Sequence, residues 1–103
     1  MAEIVQQMLR KTLDALIQKD IVLAGQVIVD DDSVDEMHRR MYALVQSRLS
    51  QSPDQVGGLI SLLTVSRNLE RIADQITNIA EDIIYMVEGR LVRHSGQFNN
   101  FSQ

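Results

Sequence analysis

With 103 residues, no cysteine and a formal net charge of −4, this chain has the size and composition of one small acidic domain. The missing cysteines exclude a disulfide framework and a thiolate metal site and are compatible with a cytoplasmic protein, while the negative charge argues against binding of nucleic acid. One proline and five glycines leave too few turns for a sandwich or a barrel, and the sequence shows neither a signal segment nor an apolar run that could span a bilayer.

The first element in chain order is an amphipathic helix predicted over residues 2–19. Apolar side chains such as Ile4 and Met8 recur at helical spacing, with polar residues between them. Lys19 and Asp20 form the predicted turn, and Asp20 is the predicted N-cap of the helix that follows.

The second predicted helix covers residues 21–49, with apolar positions such as Val27 and Val34 seven residues apart. Its start is rich in apolar residues, and Gly25 weakens a helix by about 1 kcal/mol, so a short strand is the competing interpretation. Helix is favoured because no second strand is available to pair with it. The three aspartates at residues 30–32 repel one another, which indicates either a bend or a bound cation.

The third predicted helix covers residues 53–88. Ser52, Pro53 and Gln55 have the sequence pattern of a helix start, and Gly89 is a typical C-terminal stop. Its apolar residues follow one another at steps of three and four, which defines one helix face. The residues that this seam predicts to be buried are Leu69, Ile72, Ile76, Ile79 and Ile83.

Three long amphipathic helices with short turns predict an all-α fold, an antiparallel up-down-up three-helix bundle over residues 1–94. Residues 95–103 lose this periodicity and are predicted to be a flexible C-terminal tail. The third helix has more apolar residues than such a bundle can cover, so we expect self-association or a docking face. These additional residues are Leu59, Leu63, Ala73, Ala80, Ile84 and Val87.

Two rows of acidic residues lie at the edges of the predicted apolar faces. Glu70, Asp74 and Asn78 follow one another at steps of four on the third helix, and Asp31 and Asp35 form a similar pair on the second. Four converging carboxylates repel one another unless a cation or protons neutralise them. Their oxygens suit magnesium, manganese, calcium or oxidised iron better than a structural zinc.

A simpler interpretation is that these acidic residues are solvated or paired with nearby arginines. Arg67 and Arg71 lie within four residues of the row on the third helix, and Arg39 lies four residues after the pair on the second. His38 and His94 are predicted to be ordinary surface or core-edge residues. The sequence shows no catalytic triad order, phosphate-binding glycine loop or Glu-x-x-His motif, and the absence of the last argues against a di-iron oxidase.

The sequence LERIADQITNIAEDIIYMVEG at residues 69–89, followed by VRH at residues 92–94, resembles the last helix of the PhoU family of phosphate-signalling regulators. VDDDSVDEM at residues 29–37 is similar to the acidic motif of that family's second helix, and residues 1–20 resemble its first helix. Family members have two such bundles in tandem, and this chain resembles the second, C-terminal repeat.

The resemblance implies that a metal ion is bound through Glu/Asp-x-x-x-Asp motifs. These motifs fall on Asp31, Asp35, Glu70 and Asp74, with Asn78 as a matching neighbour. The identity of the metal is left open between iron, manganese, magnesium and zinc. Many relatives have histidine where this chain has Gln75, a difference that would lower metal affinity if the histidine supports the cluster.

The resemblance also implies a function: a non-enzymatic cytoplasmic regulator of phosphate uptake and of phosphate-starvation signalling. Its implied partners are the ATPase subunit of the phosphate ABC transporter and a sensor histidine kinase, whose starvation response it would damp. Membrane contact would come only through these partners, and a homo-oligomer is expected. Two alternatives remain open, a metal-free helical adaptor and a carboxylate-bridged metalloenzyme.

Overall fold

Three α-helices form an up-down-up bundle in the computed structural model, which describes residues 1–94, with side chains as far as residue 89. Helix α1 is Ala2–Gln18, α2 is Ile21–Gln51 and α3 is Val56–His94, preceded by a short 3₁₀ turn at Pro53–Gln55. Met1 lies beside Met41 at one end of the bundle. Leu16 lies beside Val87 at the other. Helices α1 and α3 therefore run parallel and α2 runs antiparallel to both, which confirms the predicted fold class.

The turn between α1 and α2 has the predicted chemistry. The Asp20 side chain caps α2 by accepting hydrogen bonds from the backbone N–H groups of Val22 and Leu23, at 3.0 and 3.1 Å. Lys19 ends α1 in the left-handed conformation, with a φ of 55°. Helix α2 then continues through the three aspartates at residues 30–32, so neither a strand at its start nor a break at these charges forms.

The ends of α3 differ from the sequence prediction. Ser52 occupies an N-cap position, but its side chain makes no capping hydrogen bond, and the first three residues form the 3₁₀ turn. Gly89 was expected to stop the helix, whereas α3 continues to His94. Glycine inside a helix costs only about 1 kcal/mol, and a stop requires a left-handed conformation that Gly89 does not adopt. The predicted tail at residues 95–103 lies outside the described residues.

Small residues lie at the centre of the bundle and allow the helices to approach closely. Ala15, Ala24, Ala73 and Ala80 are all fully buried, one on α1, one on α2 and two on α3. Larger side chains pack around them, and the largest of these is Met8. The buried hydroxyl of Thr77 donates to the Ala73 carbonyl at 2.9 Å, so this polar group is satisfied within its own helix. The core is thus an aliphatic one with little polar content, as the composition indicated.

The predicted buried seam of α3 is only half correct. Ile76 and Ile83 are buried, at 5% and 2% exposure, and Leu69 is partly buried, but Ile72 and Ile79 are 45% and 48% exposed. The buried face is centred on Ala73 and Ala80, which lie outside the predicted seam. The reason is that apolar residues cover more than one face of α3, and the small ones permit the closer helix contact.

An apolar stripe therefore lies on the outside of α3. We call Val65, Ile72, Ile79 and Met86 the outer stripe; they follow one another at steps of seven and are all exposed. At its far end, Met86 lines a groove of about 280 Å³ together with Leu16 of α1. The bundle thus leaves a large apolar surface exposed, as predicted, but the exposed residues differ from those that were predicted. Over residues 1–94, every helix is too short or too polar to cross a membrane.

Candidate metal centre

The antiparallel packing of α2 against α3 brings the two acidic pairs together. Asp31, Asp35 and Asp74 each offer a carboxylate oxygen, and these three oxygens lie within 4.8 Å of one another. Residues four apart on a helix lie one above the other on the same side, so each helix presents two successive carboxylates to the junction. The two acidic pairs thus meet only because the packing of α2 against α3 places them at the same level of the bundle.

Glu70 lies one turn before Asp74, beside the three aspartates whose oxygens lie within 4.8 Å of one another, and interacts with Asp35 and Asp74. Burial is the main cause that raises the pKa of Glu70; nearby His38 opposes the rise, and Asp35 and Asp74 add to it. We call Asp31, Asp35, Glu70 and Asp74 the carboxylate cluster. Asn78, the fifth predicted ligand, is exposed on the next turn of α3.

Asp31 is the most perturbed member of the carboxylate cluster. Burial raises its pKa from the ordinary value of 3.8 to about 6, and repulsion from Asp35 and Asp74 contributes to the rise. Its Oδ1 atom is buried and has no hydrogen-bond partner. A buried acceptor without a partner costs about 1–3 kcal/mol, and a charged one costs more, so this oxygen favours a proton or a cation.

Among the side chains that the structure describes, none of the arginines forms an ion pair with the cluster. Among the residues that the structure describes, the arginine ion pairs join Arg39 and Arg40 to Glu36, at 3.1 and 3.3 Å. Arg67 and Arg71 are exposed and take part in none of the ion pairs found in that part of the chain. The arginine pairing in the simpler interpretation is therefore not found among the described residues, whereas Asp74 is exposed to solvent as that interpretation allows.

One neighbour of the cluster was missed by sequence reasoning. His38 is predicted to be an ordinary surface or core-edge residue rather than a ligand; its ring lies at the core edge, with Nε2 4.0 Å from Glu70 Oε1. Its Nδ1 atom lies 2.8 Å from Ser66 Oγ. The sequence contains one sign that His38 lies near the cluster: it follows Asp35 by three residues and is therefore on the same side of α2. The side chain of His94 lies outside the described residues.

These donors fit a cation that prefers oxygen ligands. Oxygens about 2.0–2.6 Å from one ion lie about 3–5 Å from each other, and the oxygens of Asp31, Asp35 and Asp74 lie within 4.8 Å of one another. The orphaned Asp31 Oδ1 is a buried acceptor that such an ion would satisfy. The carboxylates come from two helices, so a cation among them would join α2 to α3.

The fold and the cluster define a class of protein: a small helical bundle with a carboxylate-rich junction between two helices. Residues 1–83 match the PhoU domain family, and the chain belongs to that family.

Curated relatives agree with this assignment. The chain is 33% identical over 88 residues to a phosphate-specific transport system accessory protein PhoU homolog of Clostridium acetobutylicum, covering 85% of this chain and 40% of the relative. It is 37% identical over 94 residues to the homolog of Aquifex aeolicus, covering 91% and 42% of the two chains. It is 31% identical over 90 residues to the accessory protein PhoU of Escherichia coli, covering 87% and 37%. The chain thus spans about two fifths of the length of these relatives.

Proposed function

We propose that this chain is a non-enzymatic regulatory module of phosphate uptake that binds a metal ion between α2 and α3. Membership of the PhoU family supports the phosphate role, and its relatives are named as accessory proteins of a phosphate-specific transport system. The proposed setting is the cytoplasm. There the module would link the ATPase subunit of the phosphate ABC transporter to a sensor histidine kinase and damp the starvation response.

The observation that carries the metal proposal is the buried, unpartnered Oδ1 of Asp31 within the carboxylate cluster. Asp31, Asp35, Glu70 and Asp74 would hold the ion, with Asn78 available as a neutral oxygen donor at the edge. Iron, manganese, magnesium and zinc are the proposed candidates. A bound cation would neutralise the repelling carboxylates. The chain's own contribution is to hold the acidic pairs of two helices in register, so that binding also stiffens the α2–α3 junction.

The proposed partner surface is separate from the metal site. Helical geometry places Ile79 of the outer stripe about 140° from Asp74 around the axis of α3, so the two lie on different flanks. Exposed apolar residues that recur at seven-residue steps are typical of helix–helix association. We propose that this stripe binds a partner protein or a second copy of the chain, and membrane contact would come only through partners.

A second candidate function is a metal-free helical adaptor, which the outer stripe favours because its exposure does not depend on the carboxylates. The test is retention of the transporter ATPase subunit, and separately of the kinase, on the immobilised chain with manganese or with chelator. If the function depends on metal, retention of these partners should fall when chelator is added and in a Glu70→Gln, Asp74→Asn double variant. A Glu81→Gln, Asp82→Asn variant is the control, because it changes charge equally on the same helix at exposed positions.

Three other results decide between the candidates. Equal retention with chelator and in both double variants would support the metal-free adaptor. Retention that is lost in an Ile72→Lys, Ile79→Lys variant would assign partner binding to the outer stripe. Retention of neither the ATPase subunit nor the kinase by the folded parent would contradict the proposed link between them.

A further inference from the structure

His38 lies between the carboxylate cluster and the buried Ser66 of α3. Its side chain is 17% exposed, and its two ring nitrogens face different partners. Nδ1 lies 2.8 Å from the hydroxyl of Ser66, whereas Nε2 lies 4.0 Å from Oε1 of Glu70. The imidazole is therefore held on one side by α3 and directed on the other toward the carboxylates.

The buried hydroxyl of Ser66 lies 2.8 Å from His38 Nδ1 and 3.1 Å from Met1 Sδ. In the tautomer with the proton on Nδ1, the Ser66 oxygen accepts that N–H and the hydroxyl proton is left to Met1 Sδ. The lone pair of the neutral ring then lies on Nε2, the atom that faces Glu70. A partner that accepts from one ring nitrogen and frees the other is the usual support of a histidine metal ligand.

The distance to Glu70 fits two ligands of one ion. Donor atoms about 2.0–2.2 Å from a metal lie about 3 Å apart when adjacent and about 4.3 Å apart when opposite. The separation of 4.0 Å between His38 Nε2 and Glu70 Oε1 falls within this range. A cation could thus contact both atoms with small side-chain movements.

We propose that His38, oriented by Ser66, is a nitrogen ligand of the ion at the carboxylate cluster and determines which metal the site prefers. This inference rests on the metal site of the proposed function. Carboxylates alone suit magnesium, calcium and manganese, whereas imidazole favours iron, nickel, copper and zinc. Adding one imidazole to an all-oxygen donor set shifts the preference away from magnesium toward transition metals.

The test compares cobalt and magnesium binding by calorimetry and reads the ligand atom by pulsed electron paramagnetic resonance on the manganese-loaded chain. The parent should show ¹⁴N coupling to manganese. His38→Gln should abolish the coupling and lower cobalt affinity by about tenfold or more, with magnesium affinity changed by less than about threefold. Ser66→Ala should weaken cobalt binding by about 10–100-fold, the usual effect of losing a group that orients a ligand.

Tyr42→Gln is the matched control, because it removes another ring one turn further along α2 at an exposed position. It should retain the ¹⁴N coupling and the parent ratio of cobalt to magnesium affinity. Circular dichroism of the metal-free variants checks that each one folds. If His38→Gln does not fold, the parent spectrum and Ser66→Ala still decide the question.

Two results would overturn the inference, and they differ in what they leave standing. Metal binding by the parent without ¹⁴N coupling, or coupling that persists in His38→Gln, would remove His38 from the ligand set and leave the carboxylate site intact. Failure of the parent to bind cobalt, manganese or magnesium would overturn both this inference and the proposed metal site.

Discussion

Replacing Asp31 with asparagine should stabilise the metal-free protein. The folded structure raises the pKa of this carboxyl from 3.8 to about 6 because it is partly buried and faces Asp35 and Asp74. At neutral pH the ionised group therefore destabilises the folded state relative to the unfolded chain. Asparagine has nearly the same shape and no charge, so it removes the repulsion without opening a cavity.

The magnitude follows from the pKa. A rise from 3.8 to about 6 corresponds to an upper limit of about 3 kcal/mol at neutral pH. Asp31 retains contact with solvent, which screens the repulsion, so we expect a gain of about 1–2 kcal/mol in the free energy of unfolding. This gain is large for a single substitution in a domain of this size.

The sign of the pH dependence follows from the same shift. Because the folded pKa is raised, the proton on Asp31 contributes its full stability below about pH 3.8, and this contribution is lost as the pH rises through about 6. The variant should therefore exceed the parent in stability at pH 7.5, and most of the difference should disappear near pH 4.

Urea unfolding with chelator present measures this difference at both pH values. Asp14→Asn is the control, because it removes the same charge from an exposed position on α1. It should change the free energy of unfolding by less than about 0.5 kcal/mol. An Asp31→Asn variant that is less stable than the parent at pH 7.5 would refute the reasoning and show that the carboxylate is satisfied in the metal-free state.

Three further outcomes are expected. In thermal melting, manganese at a hundred times its dissociation constant should stabilise the parent by about 2.7 kcal/mol. This stabilisation should largely vanish in the Glu70→Gln, Asp74→Asn variant. In urea unfolding, Ile76→Ala should lower the free energy of unfolding by about 2–4 kcal/mol and Ile79→Ala by less than about 1 kcal/mol, because Ile76 is 5% exposed and Ile79 is 48% exposed. Equal losses in the two variants would contradict the observed rotation of α3. Sedimentation should show self-association that an Ile79→Lys variant weakens, and a parent that stays monomeric at all concentrations would leave the outer stripe to a different partner.

Much of the fold could be predicted because helix formation is encoded by local spacing. The periodic apolar residues of all three helices and the N-cap Asp20 are local signals, and the structure bears them out. The prediction failed at Gly89, where one local stop signal was outweighed by the helix that continues beyond it. Local signals give the presence of an element more reliably than its last residue.

The rotation of α3 could not be predicted from hydrophobicity. Isoleucines line a broad arc of this helix; Ile76 and Ile83 are buried, whereas the equally apolar Ile72 and Ile79 remain exposed. The buried part contains Ala73 and Ala80, because small side chains let the backbones approach closely. Which part of an apolar arc becomes buried depends on the shape of the partner helices, and a single helical sequence does not contain that shape.

The candidate site, like the fold, has one part that the sequence predicts and one part that depends on helix packing. The α-helical period alone places Asp31 with Asp35, and Glu70 with Asp74, on one side of their helices, because residues four apart lie one above the other. Whether the pairs meet, whether Asp31 Oδ1 keeps a partner and whether His38 lies between Ser66 and Glu70 depends on how α2 and α3 pack. The relative register of these two helices results from contacts between residues far apart in the chain, whereas the spacing within each pair is set by the backbone of a single helix.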